Sequence, residues 1–233
     1  YDCSYCGGGA ACHARLAGRE GIVVREPRQV AADLARLAAE GVHQAALTLD
    51  PCILGQSYWE ELFAEMRRQW VQIGLYNEQF QLPPIEFVHA LADAVVVEHS
   101  ALAISVLSRE AVRHLNGKAF SDAQLLRVLS ALKERQVPLD IYLSLNLPGE
   151  TEQGFRRTLA LAERIAQIYP PALLRMFGQP HTVDPWSAMS LAPEEFGIEV
   201  SLLTFHDYYA YCQQTALHNP SLPIDARHGF CSL

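Results

Sequence analysis

The sequence has no long apolar run; nothing in it approaches the roughly 20 consecutive hydrophobic residues that a membrane-spanning helix needs. It also has no Lys/Arg-rich stretch, and its 18 basic side chains face 26 acidic ones, for a formal charge of −8. That balance argues against nucleic acid and against a membrane surface as partners. There is no signal-peptide pattern, and the chain opens on Tyr1 rather than Met, so a segment cut from a longer protein is expected. Six cysteines in 233 residues are too few for a disulfide scaffold, which points to reduced thiols and a cytoplasmic setting. No Gly-Lys-Ser/Thr completes a phosphate loop, and no Ser/His/Asp or paired-carboxylate constellation is visible. What is present is a composition half hydrophobic and only 19% charged, enough to bury a core in one sizeable domain.

The apolar pattern alternates between helical and strand-like stretches. Residues 28–40 carry Val30, Leu34 and Leu37 at helical spacing and stop at Gly41. Residues 44–49 read as a buried strand closed by Asp50-Pro51. A helix over 57–74 is expected, with Ser57 and Glu60 as a capping box. Strands are expected at 85–89, 101–107, 139–145 and 173–177, with helices over 91–99, 121–135 and 151–169, the last capped by Thr151. Strands and helices recurring in turn mean parallel βαβ units, either an open doubly wound sheet or a (β/α) barrel, complete or partial. In either, chemistry gathers where strands end and helices begin. Asp50, His89, Ser108, Asn146 and Gln179 fall at such ends. His89 is therefore a candidate substrate contact, against the plainer reading of a hydrogen-bonded core histidine. Residues 205–211 are rich in aromatics and fit a packing or interface helix.

The cysteines are uneven: Cys3, Cys6 and Cys12 crowd the start, while Cys52, Cys212 and Cys231 stand apart. A C-x-x-C pair puts two thiolates on one tight loop, which suits a zinc site, a redox pair or an iron–sulfur cluster. Cys12-His13 could complete a zinc set. The glycines after Cys6 permit close backbone approach.

Tyr1-Asp2-Cys3-Ser4-Tyr5-Cys6-Gly7-Gly8 resembles the end of the C-x3-C-x2-C signature of radical S-adenosylmethionine (radical SAM) enzymes, with the first cysteine falling two residues before Tyr1. Residues 46–51 resemble the second barrel strand of that superfamily, 108–118 the stretch after the fourth strand, and 145–151 the Gly-Leu-Pro-Gly-Glu-Thr after the fifth. Residues 180–198 resemble the tail of members that carry an upstream cobalamin-binding domain. The departures are an Asp at position 50 where many relatives have Gly-Gly-Glu, an Asn at 146 where Gly is common, and a short loop after Leu107.

The resemblance implies an enzyme with a partial (β/α)6 TIM-type barrel over residues 1–198, its first strand upstream, and a C-terminal extension over 199–233. It implies a 4Fe–4S cluster held by Cys3, Cys6 and the upstream cysteine, and reductive cleavage of SAM to start radical chemistry on a substrate that the sequence does not identify. SAM contacts would come from Tyr5, Gly7, Asp50 (the ammonium), Ser108, Arg113 and Lys118 (the carboxylate) and Asn146. An electron donor of flavodoxin or ferredoxin type would be a partner, and cobalamin on the upstream domain would make the reaction a methyl transfer or a related one. The alternatives are a radical SAM enzyme without cobalamin, of methylthiotransferase or maturase type, and a zinc-stabilised α/β binding module.

Overall fold

In the computed structural model the residues described are 4–47, 50–145, 147–180, 183–200 and 202–218. The helices α1 (Ala10–Ala17) and α2 (Pro27–Ala39) lead into strand β1 (Gln44–Leu47). Then come α3 (Gln56–Arg68), β2 (Gly74–Gln79), α4 (Ile85–Ala92), β3 (Ala101–Leu107), α5 (Glu110–Leu115), α6 (Asp122–Glu134), β4 (Leu139–Leu145), α7 (Glu152–Ile168) and β5 (Leu174–Pro180). Two further helices, α8 (Ala188–Leu191) and α9 (Phe205–His218), follow the last strand. The strands form a five-stranded parallel sheet in the order β1-β2-β3-β4-β5. Parallel neighbours taken in sequence order and joined by crossovers of one hand put the connecting helices on a single face. The result is an open arc of a barrel, one of the two arrangements that the βαβ spacing allows and the one that the resemblance implies.

The main core lies between that face and the helices. Leu75, Leu102, Ile104, Val106, Leu139 and Ile141 point outward from the sheet to meet Leu34, Phe63, Met66, Phe87, Leu125, Leu129, Leu161 and Ile165. The opposite, inner face carries Tyr76, Glu78, Ala103, Ser105, Asp140, Tyr142, Arg175 and Phe177 by the two-residue alternation of strands.

One strand departs from the sequence reading. Residues 85–89 are not a strand but the start of α4, and the strand lies earlier, at Gly74–Gln79. The cause is the end of α3. Trp70 takes the left-handed conformation at φ 52°, its N–H bonds Arg67 O and that of Val71 bonds Met66 O. This is the same helix stop that Gly41 and Val42 make after α2, but without a glycine to signal it. The Ser57–Glu60 capping box does not form either, because α3 begins at Gln56 from Gly55, and Gln56 Nε2 donates to Glu60 Oε1 instead. The Ser121 and Thr151 caps do form, accepting from the N–H groups of Gln124 and Gly154. Among the described residues no helix is long and apolar enough to cross a membrane.

Candidate functional site

The C-terminal ends of the strands collect on one rim, and the segment from Ser4 lies across it. Tyr5 is the pivot of that segment. Its ring packs against Leu107 at the end of β3, Val112 of α5 and Leu147 just past β4, and also against Val183, Met189 and Ile198, from the segment after β5. Backbone bonds fix the same stretch, since Met189 N–H donates to Ser4 O at 2.9 Å and Asp184 N–H to Tyr5 O at 3.1 Å. Ser4 Oγ donates to Asn116 Oδ1 at 3.2 Å, and Asn116 is itself buried and tied to Val112 O. Cys6 is half-buried and its Sγ accepts from Gly8 N–H at 3.2 Å, the kind of N–H···S bond that suits a ligating thiolate. Gly7 N–H donates to Asp184 Oδ2 at 3.0 Å. A Cβ at Gly7 would sit 2.9 Å from Pro185 O, so that position needs a glycine.

Cys3 and Asn146 lie outside the described residues. Cys6, Cys12 and Cys52 form no disulfide. Among the described residues no three His, Cys, Asp or Glu side chains are grouped to hold a metal. Cys12, a possible zinc ligand, is instead buried, with its Sγ toward Pro185 O at 3.9 Å.

Asp50 follows β1 and caps a short 3-10 turn over Pro51–Leu54, its Oδ1 accepting from Cys52 N–H at 2.8 Å. It is 1% exposed and its Oδ2 has no partner. Burial pushes its carboxyl above the ordinary range, offset in part by Cys52, Gln79 and Phe80. Burial, together with the Asp50 charge, pushes the Cys52 thiol up as well. The amides of Asn77 and Gln79 on β2 are also buried with no partner for either polar atom. Unmet polar groups at this depth are uncommon and ask for a ligand or ordered water.

Ser108, Arg113 and Lys118, also expected SAM contacts, are engaged inside the protein. Ser108, just past β3, is fully buried and its hydroxyl is shared between Glu150 and Thr158. Arg113 does not face an open site: at 0% exposure it donates to Val106 O, Phe120 O, Ser108 O and the Asp122 carboxylate. It is an internal staple that closes the turn after β3 onto the start of α6. Lys118 is likewise fully buried, with Nζ donating to Phe80 O at 2.6 Å and lying over the Phe80 ring. Its ammonium fastens the loop after β2. His89 lies in α4, in the outer helical layer rather than at a strand end, so the reason for reading it as a substrate contact falls away.

Sequence reasoning missed the inner face. Tyr76 Oη and Tyr142 Oη meet at 3.2 Å over the small residues of β3, and Tyr142 stacks on Phe177 at 4.9 Å between centroids. Burial and the Tyr142 hydroxyl hold the Tyr76 phenol well above its ordinary range. Arg175 grips Asp140 in two bonds of 2.7 and 2.8 Å. The alternation of Leu75 and Asn77 with Tyr76 and Glu78 was the available signal, hidden by the overlong reading of α3. Leu107 also escaped notice. It holds φ 65° at a register shift in β3, a strained backbone of the sort found beside functional sites.

The fold is shared with solved radical SAM enzymes. The radical S-adenosylmethionine methyltransferase TsrM from Kitasatospora setae, solved with cobalamin and a [4Fe-4S] cluster, matches with a TM-score of 0.65 at 17% identity, over 84% of this chain and 35% of that one. TsrM with its tryptophan substrate and the SAM analogue aza-SAM gives 0.62 at 18%, over 84% and 37%. The radical SAM enzyme HemN, coproporphyrinogen III oxidase from Escherichia coli, gives 0.50 at 14%, over 85% and 51%. The chain thus spans about a third of TsrM and half of HemN. No family model matches the chain, and no curated protein matches it in sequence.

Proposed function

We propose that this chain is the catalytic barrel of a radical SAM enzyme, in which Cys3, Cys6 and a cysteine preceding Tyr1 hold a 4Fe–4S cluster at the strand ends. The observation that carries this reading is the segment from Ser4 to Cys6, laid across the ends of β3 and β4 by Tyr5, in a fold shared with radical SAM enzymes. The donor set fits: Cys6 is half-buried and its Sγ already accepts an amide bond, as suits a ligating thiolate. When bound, such a cluster supplies the electron that breaks a C–S bond of SAM. The chain's own part is to orient and to exclude water. Asp50 offers a buried, unpartnered carboxylate oxygen for the ammonium of SAM. Tyr5, Leu107, Val112 and Leu147 form a dry apolar floor under the loop. The inner face, with its paired tyrosines and Phe177, is the surface on which a substrate would lie.

Cobalamin dependence, with methyl transfer or a related reaction, is the finer part of the proposal, supported by the likeness to TsrM. The reading without cobalamin has one specific observation in its favour. Met189 and Phe196 of the 180–198 segment pack back toward Tyr5, so this part of the tail needs no further domain to cover it, although Trp186 and Leu191 stay exposed.

Anaerobic reconstitution of the protein with the residues preceding Tyr1 included tests the main reading. About four iron and four sulfide per chain are expected, with SAM cleavage by a reduced flavodoxin or ferredoxin. Cys3→Ala and Cys6→Ala abolish both, while Cys52→Ala and Cys212→Ala leave iron nearly intact. Equal iron loss in all four, or one zinc and no sulfide, rejects the assignment. Hydroxocobalamin binding by the same protein, with shifted corrin bands, separates the two enzymatic readings.

A further inference from the structure

A loop with three successive glycines has little shape of its own. Within residues 4–9 a bond from Gly8 N–H to Cys6 Sγ acts locally, and Gly9 precedes α1 with no side-chain cap. Ordering such a stretch is entropically unfavourable, so its shape has to be imposed from outside. The segment after β5 does this at several points. Asp184 acts in two directions, its N–H on Tyr5 O and its carboxylate on Gly7 N–H, bracketing Cys6 from both sides. Met189 N–H holds Ser4 O, Pro185 O receives the Cys12 thiol, and Gly7 lies so close to Asp184 and Pro185 that no side chain fits between them. The bracket is itself propped, because Tyr208 Oη of α9 donates to Val183 O at 2.7 Å.

We infer that Asp184 is a positioning residue that holds the cysteine loop in its ligating shape before a cluster is bound. This rests on the reading of Cys3 and Cys6 as cluster ligands, but the holding itself belongs to the protein without a cluster. The Asp184 carboxylate accepts the Gly7 amide, and an asparagine there can accept the same bond through its amide oxygen, whereas an alanine cannot. Asp184→Asn therefore serves as the conservative rescue.

The test is amide exchange in the cluster-free protein, followed by iron content after reconstitution. In Asp184→Ala, Gly7 exchanges about five-fold faster or more while β3 keeps its protection, and retained iron falls by about half or more. In Asp184→Asn both stay close to the parent. Parent-like exchange at Gly7 in the alanine variant, or an asparagine variant as loose as the alanine one, overturns the inference. If β3 also loses protection in Asp184→Ala, Gly7→Ala decides: its new Cβ would press on Pro185 O and Asp184 Cβ, so parent-like loop exchange there rejects the bracket. A parent that takes up no iron, or a Cys6→Ala variant that keeps it, rejects the cluster reading instead, while the exchange arm still judges Asp184.

Discussion

At the scale of single residues, the site is drawn by what is satisfied and what is not. Arg113, Lys118 and Ser108 are polar and sit near strand ends, yet their bonds are made within the protein. Asp50 is the contrary case, a buried carboxylate with one oxygen engaged and one open. Because its folded-state carboxyl is pushed above its unfolded value, its ionisation opposes folding. The sign follows directly. Below the ordinary carboxylate range both states are protonated and no penalty exists; as pH rises through the raised folded value, stability falls. Asp50→Asn keeps an oxygen for Cys52 N–H and removes the charge. Its unfolding midpoint is expected to equal the parent's in acid, to pull ahead as pH rises, and to lead by about 2 °C or more at neutral pH. Added SAM then raises the parent's midpoint more than the variant's. Thermal melts between pH 4 and 8, with and without SAM, check both; a variant less stable than the parent at neutral pH contradicts the account.

At the scale of elements, the helix-to-strand turns repeat one device. After α2, α3 and α6 the chain passes through a left-handed residue and then a valine: Gly41-Val42, Trp70-Val71 and Gln136-Val137. The valine N–H reaches back to Leu37 O, Met66 O or Leu132 O, and its side chain joins the core. Only the first of these turns uses the residue suited to positive φ. A non-glycine residue there costs roughly 1–2 kcal/mol, partly offset by the greater unfolded-state freedom of glycine. Gln136→Gly is therefore expected to stabilise by about 0.5–1 kcal/mol, read as a higher denaturant midpoint at unchanged m. A destabilised variant contradicts the argument.

At the scale of the whole molecule, the sheet is open and its strands are unequally covered. Central β3 is buried along almost its whole length, while β1 at the edge alternates between exposed and half-exposed positions. Local stability should follow that gradient. Hydrogen exchange is expected to be slowest in β3 and β4 and much faster in β1, by about ten-fold or more. Equal protection across the sheet contradicts it. The same gradient suits the chemistry, since the covered strands support the cysteine loop.

The sequence by itself determined the βαβ order, the caps at Ser121 and Thr151 and the stop at Gly41. All of these are local: a turn or a cap is specified by residues a few positions apart. Only the tertiary structure decided the rest. The end of α3 escaped because Trp70 adopts a conformation that its side chain does not announce, and the error moved β2 and gave His89 a false position. The partners of Arg113 and Lys118 could not be read, since most of them are backbone carbonyls, present at every residue and selected only by folding. The tie between Gly7 and Asp184 joins positions 177 apart in the chain, and the meeting of Tyr76 with Tyr142 depends on a sheet register that no local pattern encodes.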